Sequence, residues 1–270
     1  MPLALTDNWT ATLKRVLLPA LVLLFASPVN AAPPRSFSAE YNARYEGISA
    51  GASRSLVYDA AKGHYSLHSM VELTLFGSSL TRIDERSDFL WVDEKPLPQH
   101  YEFIQTGFGA RSRTVDFDQA NKTAEFTVND RRGKLMLEGP GFDDLSGYLV
   151  AKEQLAQGAV EVRFNVVDRG EMREHYYKLV DHVMLDTPIG KIKAVHLARI
   201  RGEDNARKTE IWLAPDHDYL LLKLVQTEPD GSEVELNIRS ATLGDHVLSA
   251  ATLDAAASSA NVTPNAAPAP

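Results

Sequence analysis

The chain contains 270 residues, no cysteine and 36 acidic against 28 basic side chains, which gives a formal net charge of −8 at pH 7. The lack of cysteine excludes disulfides and thiolate metal sites, so the chain must hold together by packing alone. The acidic balance disfavours nucleic acid as a partner.

The N-terminus has the pattern of a signal peptide. Lys14 and Arg15 precede an apolar run at residues 16–25, and the short side chains of Val29 and Ala31 precede an expected cut after Ala31. The apolar run is well short of the roughly 20 residues that cross a bilayer, so we expect no transmembrane span in the mature chain. The sequence therefore predicts a cleaved signal peptide, residues 1–31, and a periplasmic protein.

Composition divides the rest of the chain into two parts. We expect residues 32–247 to form a single β-rich domain, since all-β domains reach roughly 200 to 250 residues as one unit. Residues 248–270 are almost all Ala, Ser, Thr, Pro and Asn. Because such a segment buries too little apolar surface to offset the entropy of ordering, we predict a disordered tail.

Alternating polarity predicts that the domain begins with a β-meander. Residues 37–45 alternate between apolar and polar side chains, as a half-buried strand does. Residues 47–51 are predicted to turn the chain, after which residues 53–59 return. Further strands are predicted at 64–75, 80–92, 101–105, 111–118, 123–129, 134–137, 160–167, 173–183, 191–201, 209–213, 220–227 and 234–243.

One segment has helical spacing. Either Asp143 or Asp144 can cap its N-terminus, and Gly158 can end it in a left-handed conformation. Its apolar stripe consists of Leu145, Tyr148, Leu149 and Leu155.

The number of strands and the length of their connections predict the fold. Short strands joined by tight turns pair with their neighbours and run antiparallel, since parallel pairs need long crossovers. About a dozen such strands exceed what an open sheet holds comfortably. We therefore predict a mainly all-β fold, an antiparallel β-meander curled into a closed or part-open barrel, with one helix between strands.

The last third of the chain is the most distinctive. Its motifs are DTPIGKIKA at residues 186–194, EIWLAPDHDYLL at 210–221 and EPDGS at 228–232. With the first strand, the 47–51 turn and the helix start, these motifs resemble the bacterial family called domain of unknown function 3108, over residues 37–243. The resemblance implies a periplasmic, β-rich protein and implies no activity. Its motifs are intelligible as turn and strand residues.

Three patterns that can carry chemistry have simpler structural explanations. The G-x-S-x-G pattern around Ser49 lacks the following helix that a nucleophile elbow requires, and a hairpin turn explains it. His64 and His68 would stand roughly 13 Å apart along a strand, too far to share one ion. Helix capping explains Asp143 and Asp144. We therefore assign no catalytic, cofactor-binding or metal-binding residue.

A charged strand leaves two interpretations open. At positions 82, 84, 86 and 88, Arg and Asp alternate on one face of the strand. One interpretation is a solvated outer face with self-compensating charges. In the other, this face lines a part-open interior in which arginines hold an anionic head group by forked hydrogen bonds. The ligand-binding residues of that second hypothesis are Arg82, Arg86, Arg111 and Arg113.

Three functions remain open at this point. The leading hypothesis is a non-catalytic binding or carrier protein for an apolar or amphiphilic envelope molecule, such as a lipid, because small barrels commonly hold one ligand. The alternative is an envelope assembly or scaffold protein that binds another envelope protein through a sheet edge or outer face. A hydrolase assembled from distant strands is the third. No cofactor is implied by any of them.

Overall fold

The computed structural model describes residues 33–76, 78–202 and 205–249. The predicted signal peptide and most of the predicted tail lie outside these residues. In the described part, no helix is long and apolar enough to cross a membrane.

The described residues form sixteen strands, one α-helix and a short 3-10 turn at Pro215–His217. The strands are β1 Phe37–Tyr45, β2 Ile48–Asp59, β3 His64–Leu75, β4 Ser78–Val92, β5 Lys95–Gly107, β6 Arg111–Asp118, β7 Thr123–Val128, β8 Arg131–Met136, β9 Gly141–Phe142, β10 Glu161–Asp168, β11 Glu171–Thr187, β12 Gly190–Ile200, β13 Lys208–Ala214, β14 Leu220–Thr227, β15 Glu233–Leu243 and β16 His246–Leu248. The helix, α1, spans Ser146–Ala156.

All strands belong to one sheet, whose order is β8-β7-β6-β5-β4-β3-β2-β1-β15-β14-β13-β12-β11-β10-β9, with β16 added beside β15. Two meanders are thus joined where β1 pairs with β15. The end strands β8 and β9 do not pair with each other, so the sheet is not closed. The predicted all-β antiparallel fold with one helix is confirmed.

One pair departs from the expected antiparallel pattern. Strands β9 and β10 run parallel, with Asn165 opposite Gly141 and Val166 opposite Phe142. The prediction that neighbouring strands run antiparallel was wrong for this pair, because α1 connects the two strands. A connecting helix is the usual way to bring a chain back for a parallel pair.

Strand β1 illustrates how the sequence pattern builds the sheet. Phe37, Ala39, Tyr41 and Ala43 are buried and alternate with exposed polar residues. The turn to β2 consists of Glu46 and Gly47, both with positive φ, which is the geometry of a two-residue hairpin. The turn is therefore shorter than the predicted 47–51 segment.

The sheet wraps around the helix, which packs against β5 and β10. The buried helix residues are Ser146, Gly147, Leu149, Val150, Ala151, Lys152, Glu153 and Leu155. Lys152 is buried because its Nζ pairs with Asp218 at 2.7 Å. The predicted apolar stripe therefore includes only some of the helix residues that are buried. At the C-terminal end, Gly158 has the expected left-handed conformation, with φ of 86°.

Side chains join the two ends of the sheet. Arg113 of β6 donates to Asp168 of β10 at 2.5 Å, and Arg131 of β8 donates to the carbonyl of Arg169 at 2.7 Å. A Cβ on Gly170 would lie 2.4 Å from the ring of Phe126, so only glycine lets these segments approach so closely. Side-chain contacts therefore bridge the two ends of the open sheet, where the backbone does not pair.

Strand β16 lies at the boundary of the predicted tail. Its last residue, Leu248, is the first residue assigned to the tail, and it is buried against the core. Ala241 of β15 lies opposite Leu248 in the antiparallel pair. The ordered sheet therefore reaches residue 248.

Candidate ligand-binding site

A cavity of about 360 Å³ lies inside the curled sheet. Small-molecule sites fall at roughly 300 to 1,000 Å³ and are mostly apolar with a few polar groups. The apolar part of the lining consists of Val71, Leu145, Ala151, Phe164, Ile211, Leu213, Leu221, Leu224 and Leu236. Strands from both meanders and the helix contribute to it, so the cavity depends on the whole fold.

Arg54 of β2 is a charged group on the wall of this cavity. Its guanidinium carbon lies 4.4 Å above the centre of the Tyr148 ring. Its Nε is buried and has no hydrogen-bond partner. Within the described residues no carboxylate lies within 4.0 Å of its guanidinium. Because a buried donor without a partner is costly, Arg54 is suited to an acceptor that a ligand brings.

Two acids share the cavity with Arg54. Burial and, to a lesser extent, the charge of Asp144 raise the pKa of Glu85 to about 7, against the opposing effects of Arg113 and Arg54. Burial likewise raises the pKa of Asp144, although the Arg113 charge opposes this. The Nη2 of Arg113 lies 3.7 Å from Asp144. Near neutral pH, Glu85 is therefore a partly protonated acid instead of a full counter-charge for Arg54.

Asp143 anchors the start of the helix beneath the cavity. Its Oδ1 accepts the N–H groups of Leu145 and Ser146 at 2.9 and 2.8 Å. Its Oδ2 accepts the hydroxyls of Ser87 and Ser146, each at 2.7 Å. Burial raises its pKa to about 6, in spite of these hydrogen bonds. The N-cap position itself is held by Leu145, so neither predicted cap occupies it; Asp143 stabilises the turn that leads into the helix, and Asp144 lines the cavity.

Arginines concentrate in a second pocket that shares one lining residue with the cavity. Arg199 of β12 lines the cavity and also a second, open pocket of about 440 Å³. The lining of this second pocket includes Arg173, Glu174, Tyr176, Arg199, Arg201 and Asn205. On the cavity wall, His175 is uncharged at neutral pH, because burial and the Arg199 charge lower its pKa to about 3.

The structure separates the four arginines of the ligand-binding hypothesis. Arg82 and Arg86 point to solvent, with exposed side-chain fractions of 45% and 50%, and each pairs with the aspartate two residues further along β4. Arg113 lies on the interior side, with its guanidinium 4.4 Å above the ring of Phe103. Arg111 lies 5.2 Å above the same ring. The fold thus brings Arg111 and Arg113 together and keeps Arg82 and Arg86 away from them.

The structure also shows where the residues considered for catalysis or metal binding lie. Ser49 lies on β2 opposite Arg44, not in the turn where the sequence places it, because the hairpin needs only two turn residues. His68 pairs with Asp84 at 2.6 Å, while His64 lies 4.0 Å from Asp88. Among the described residues, no three His, Asp or Glu side chains form a group that could hold a metal ion.

Comparisons with known proteins identify the family. The model of a protein family of unknown function, DUF3108, matches residues 40–239. The chain belongs to the DUF3108 family. No curated protein matches the chain. The match to the family model confirms the resemblance that the sequence motifs indicate.

A solved structure shares the fold of this DUF3108 protein. It is described as the beta-barrel-like protein of domain of unknown function DUF1849 from Brucella abortus. The two chains are 8% identical, with a TM-score of 0.53, and the alignment covers 80% of this chain and 100% of that chain. At this identity the similarity concerns the fold alone.

Two interior charges of the DUF3108 domain, Arg54 and Glu85, were missed by sequence reasoning, although the sequence carried a signal for them. Arg54 has the parity of the buried residues Ala52 and Leu56, and Glu85 has that of the buried residues Ser87 and Phe89. A charged residue on the apolar parity of a strand must point into the core or cavity. A charged residue at such a position is a better candidate for ligand binding than a run of alternating charges is.

Proposed function

We propose that the protein is an exported, non-catalytic carrier that encloses an apolar or amphiphilic envelope molecule in the interior cavity. The observation that carries this proposal is a cavity of about 360 Å³ whose wall is mainly apolar but includes the buried, unpartnered Nε of Arg54. Such a combination suits a ligand with a large apolar part and at least one hydrogen-bond acceptor.

The surroundings of Arg54 support a binding role more than a purely structural one. A guanidinium that serves the fold is normally held by a carboxylate, as Arg113 is held by Asp168. Arg54 instead stacks on Tyr148, a contact that leaves donors free. The N-terminal pattern of residues 14–31 supports the proposed export to the periplasm, where lipids and other amphiphiles must cross an aqueous space.

Native mass spectrometry tests the proposal directly. The full chain is expressed with export to a periplasm, purified gently and weighed in native and in denatured form, and any released molecule is extracted. We expect a reproducible native mass excess that extracts as an amphiphile.

A pair of matched variants shows whether the cavity is the site. Val71→Trp fills the cavity, since Val71 lines it, whereas Val57→Trp adds the same ring at a position of the adjacent strand that is 54% exposed. We expect the mass excess to disappear in Val71→Trp and to persist in Val57→Trp. A wild-type protein with no mass excess would contradict the carrier proposal and favour the scaffold alternative, in which another envelope protein is the partner.

A further inference from the structure

The turn between β5 and β6 holds a phenylalanine out in solvent. The Phe108 side chain is 87% exposed, yet its backbone is firmly bound. Its N–H donates to the carbonyl of Leu80 at 2.9 Å. Its carbonyl accepts the side-chain amide of Gln105 at 2.9 Å and the hydroxyl of Thr81 at 3.2 Å. The exposure of this ring is therefore a property of an ordered turn and not of a loose one.

A glycine fixes this turn against the start of β4. Gly107 has a φ of +77°, and a Cβ at this position would lie 2.1 Å from the carbonyl oxygen of Leu80. Only glycine allows both the left-handed conformation and so close an approach of the two backbones. Leu80 is itself 38% exposed. The β5–β6 turn therefore lies at the same end of the sheet as the connection between β3 and β4.

That connection contains a second exposed phenylalanine, Phe76. Its side chain is 98% exposed, and its φ of 51° is in the left-handed region, which is unusual for a bulky residue. Among the described residues, nine besides glycine have a positive φ, and seven of these are charged residues or asparagine. The eighth, Tyr219, packs against the core. Neither turn chemistry nor core packing therefore explains a phenylalanine at position 76.

Both phenylalanines lie in uncharged spans of the sequence. Residues 73–81 and 103–110 contain no charged residue, although charged residues make up 24% of the chain. Each span follows a glutamate and precedes an arginine, so neither end adds a run of one sign. Moving these spans into an apolar medium therefore takes no charged side chain of their own out of water.

We propose that Phe76 and Phe108 insert into the lipid surface of a membrane and so dock the protein on it. Apolar and aromatic side chains are suited to the boundary between head groups and acyl chains. Such docking does not require the cavity to hold a ligand, and it goes beyond the proposed carrier function.

The size of the feature favours a lipid surface over a protein partner. A stable protein interface buries about 800 Å² on each partner. Two phenylalanine side chains supply together at most about 500 Å². They also stand on separate turns instead of lining a groove that a partner's side chain fills. A lipid surface needs no matching shape, so a few projecting rings are enough for reversible binding.

The test is flotation of the exported protein with vesicles of dioleoylphosphatidylcholine, at low and at high salt. The variant is Phe76→Ser/Phe108→Ser. The matched control is Val57→Ser/Met184→Ser, which removes two apolar side chains that are 54% and 58% exposed on β2 and β11. A further variant, Phe76→Trp/Phe108→Trp, keeps aromatic rings that suit the membrane interface.

We expect the wild type and the control to float with the vesicles equally well at both salt concentrations, since apolar insertion is not screened. In Phe76→Ser/Phe108→Ser the partition constant should fall at least about tenfold. The tryptophan variant should bind at least as strongly as the wild type. Circular dichroism and thermal unfolding should be the same for all variants, because the changed side chains are exposed.

Three results would overturn the proposal. The first is a wild type that stays behind when the vesicles float. The second is flotation that Phe76→Ser/Phe108→Ser leaves unchanged, or that high salt abolishes. The third is a wild-type dimer that becomes a monomer in Phe76→Ser/Phe108→Ser, which would make the two rings an interface between copies of this chain.

Discussion

The charged residues on the two faces of β4 have different surroundings. On the outer face, Arg82 pairs with Asp84 at 3.0 Å and Arg86 with Asp88 at 3.1 Å, so each cation has an anion two residues along the same strand. On the inner face, Glu85 has a raised pKa and sits among acids and arginines from other elements.

This difference distinguishes charged residues on the protein surface from charged residues in the candidate binding site. Outer pairs are solvated and locally neutral, and such pairs contribute little to stability or to binding. Inner charges lose the free energy of solvation. Hydrogen bonds compensate Asp143 for this loss, whereas the buried Nε of Arg54 has no partner. Substitutions of inner residues, each compared with a substitution of an exposed residue, test this difference.

The largest effect is expected at Asp143. Asp143→Ala removes the acceptor of two serine hydroxyls and two backbone N–H groups in a buried place. We expect the free energy of unfolding, measured by chemical denaturation, to fall by about 3 kcal/mol. Asp84→Ala, the outer-face counterpart, should cost less than about 1 kcal/mol. Equal losses in the two variants would contradict the distinction between faces.

Glu85 should give an intermediate and pH-dependent effect. Its folded pKa of about 7 lies above the ordinary value, so the folded state is favoured while Glu85 is protonated and loses stability as the pH rises to about 7. Glu85→Gln should therefore leave stability unchanged near pH 4 and raise it by about 2 kcal/mol at pH 8. Unfolding of the ligand-free protein across this range measures the difference.

The control for this experiment is an exposed glutamate. Glu125, whose side chain is 66% exposed, pairs with Lys134 on the sheet surface. Glu125→Gln should change stability by less than about 0.5 kcal/mol at every pH. Parallel pH curves for the wild type and Glu85→Gln would show that Glu85 titrates normally.

The smallest effect is expected on the outer face of β4. Arg86→Gln removes one member of a solvated pair and should change the free energy of unfolding by less than about 0.5 kcal/mol. Ligand retention should equal that of the wild type. A marked loss of bound ligand in Arg86→Gln would restore the hypothesis that this face binds the head group.

The sequence predicted the strand pattern well because alternation and turns are local. Phe37 to Ala43 alternate in burial as their polarity does. The interior site was harder, since it joins residues that only the curled sheet brings together, such as Arg54 of β2 and Arg199 of β12. The parallel β9–β10 pair was also missed, because β9 is only two residues long and has no sequence signature.

Ligand retention in Arg54→Gln, beside Arg82→Gln, tests the central claim most directly. Both variants remove one arginine from a strand of the same sheet, the first from the cavity wall and the second from the outer face. Native mass spectrometry of each exported protein should show the ligand retained fully in Arg82→Gln and reduced about tenfold or more in Arg54→Gln. Equal retention in the two variants and the wild type would contradict the claim that the unpartnered interior arginine binds the ligand.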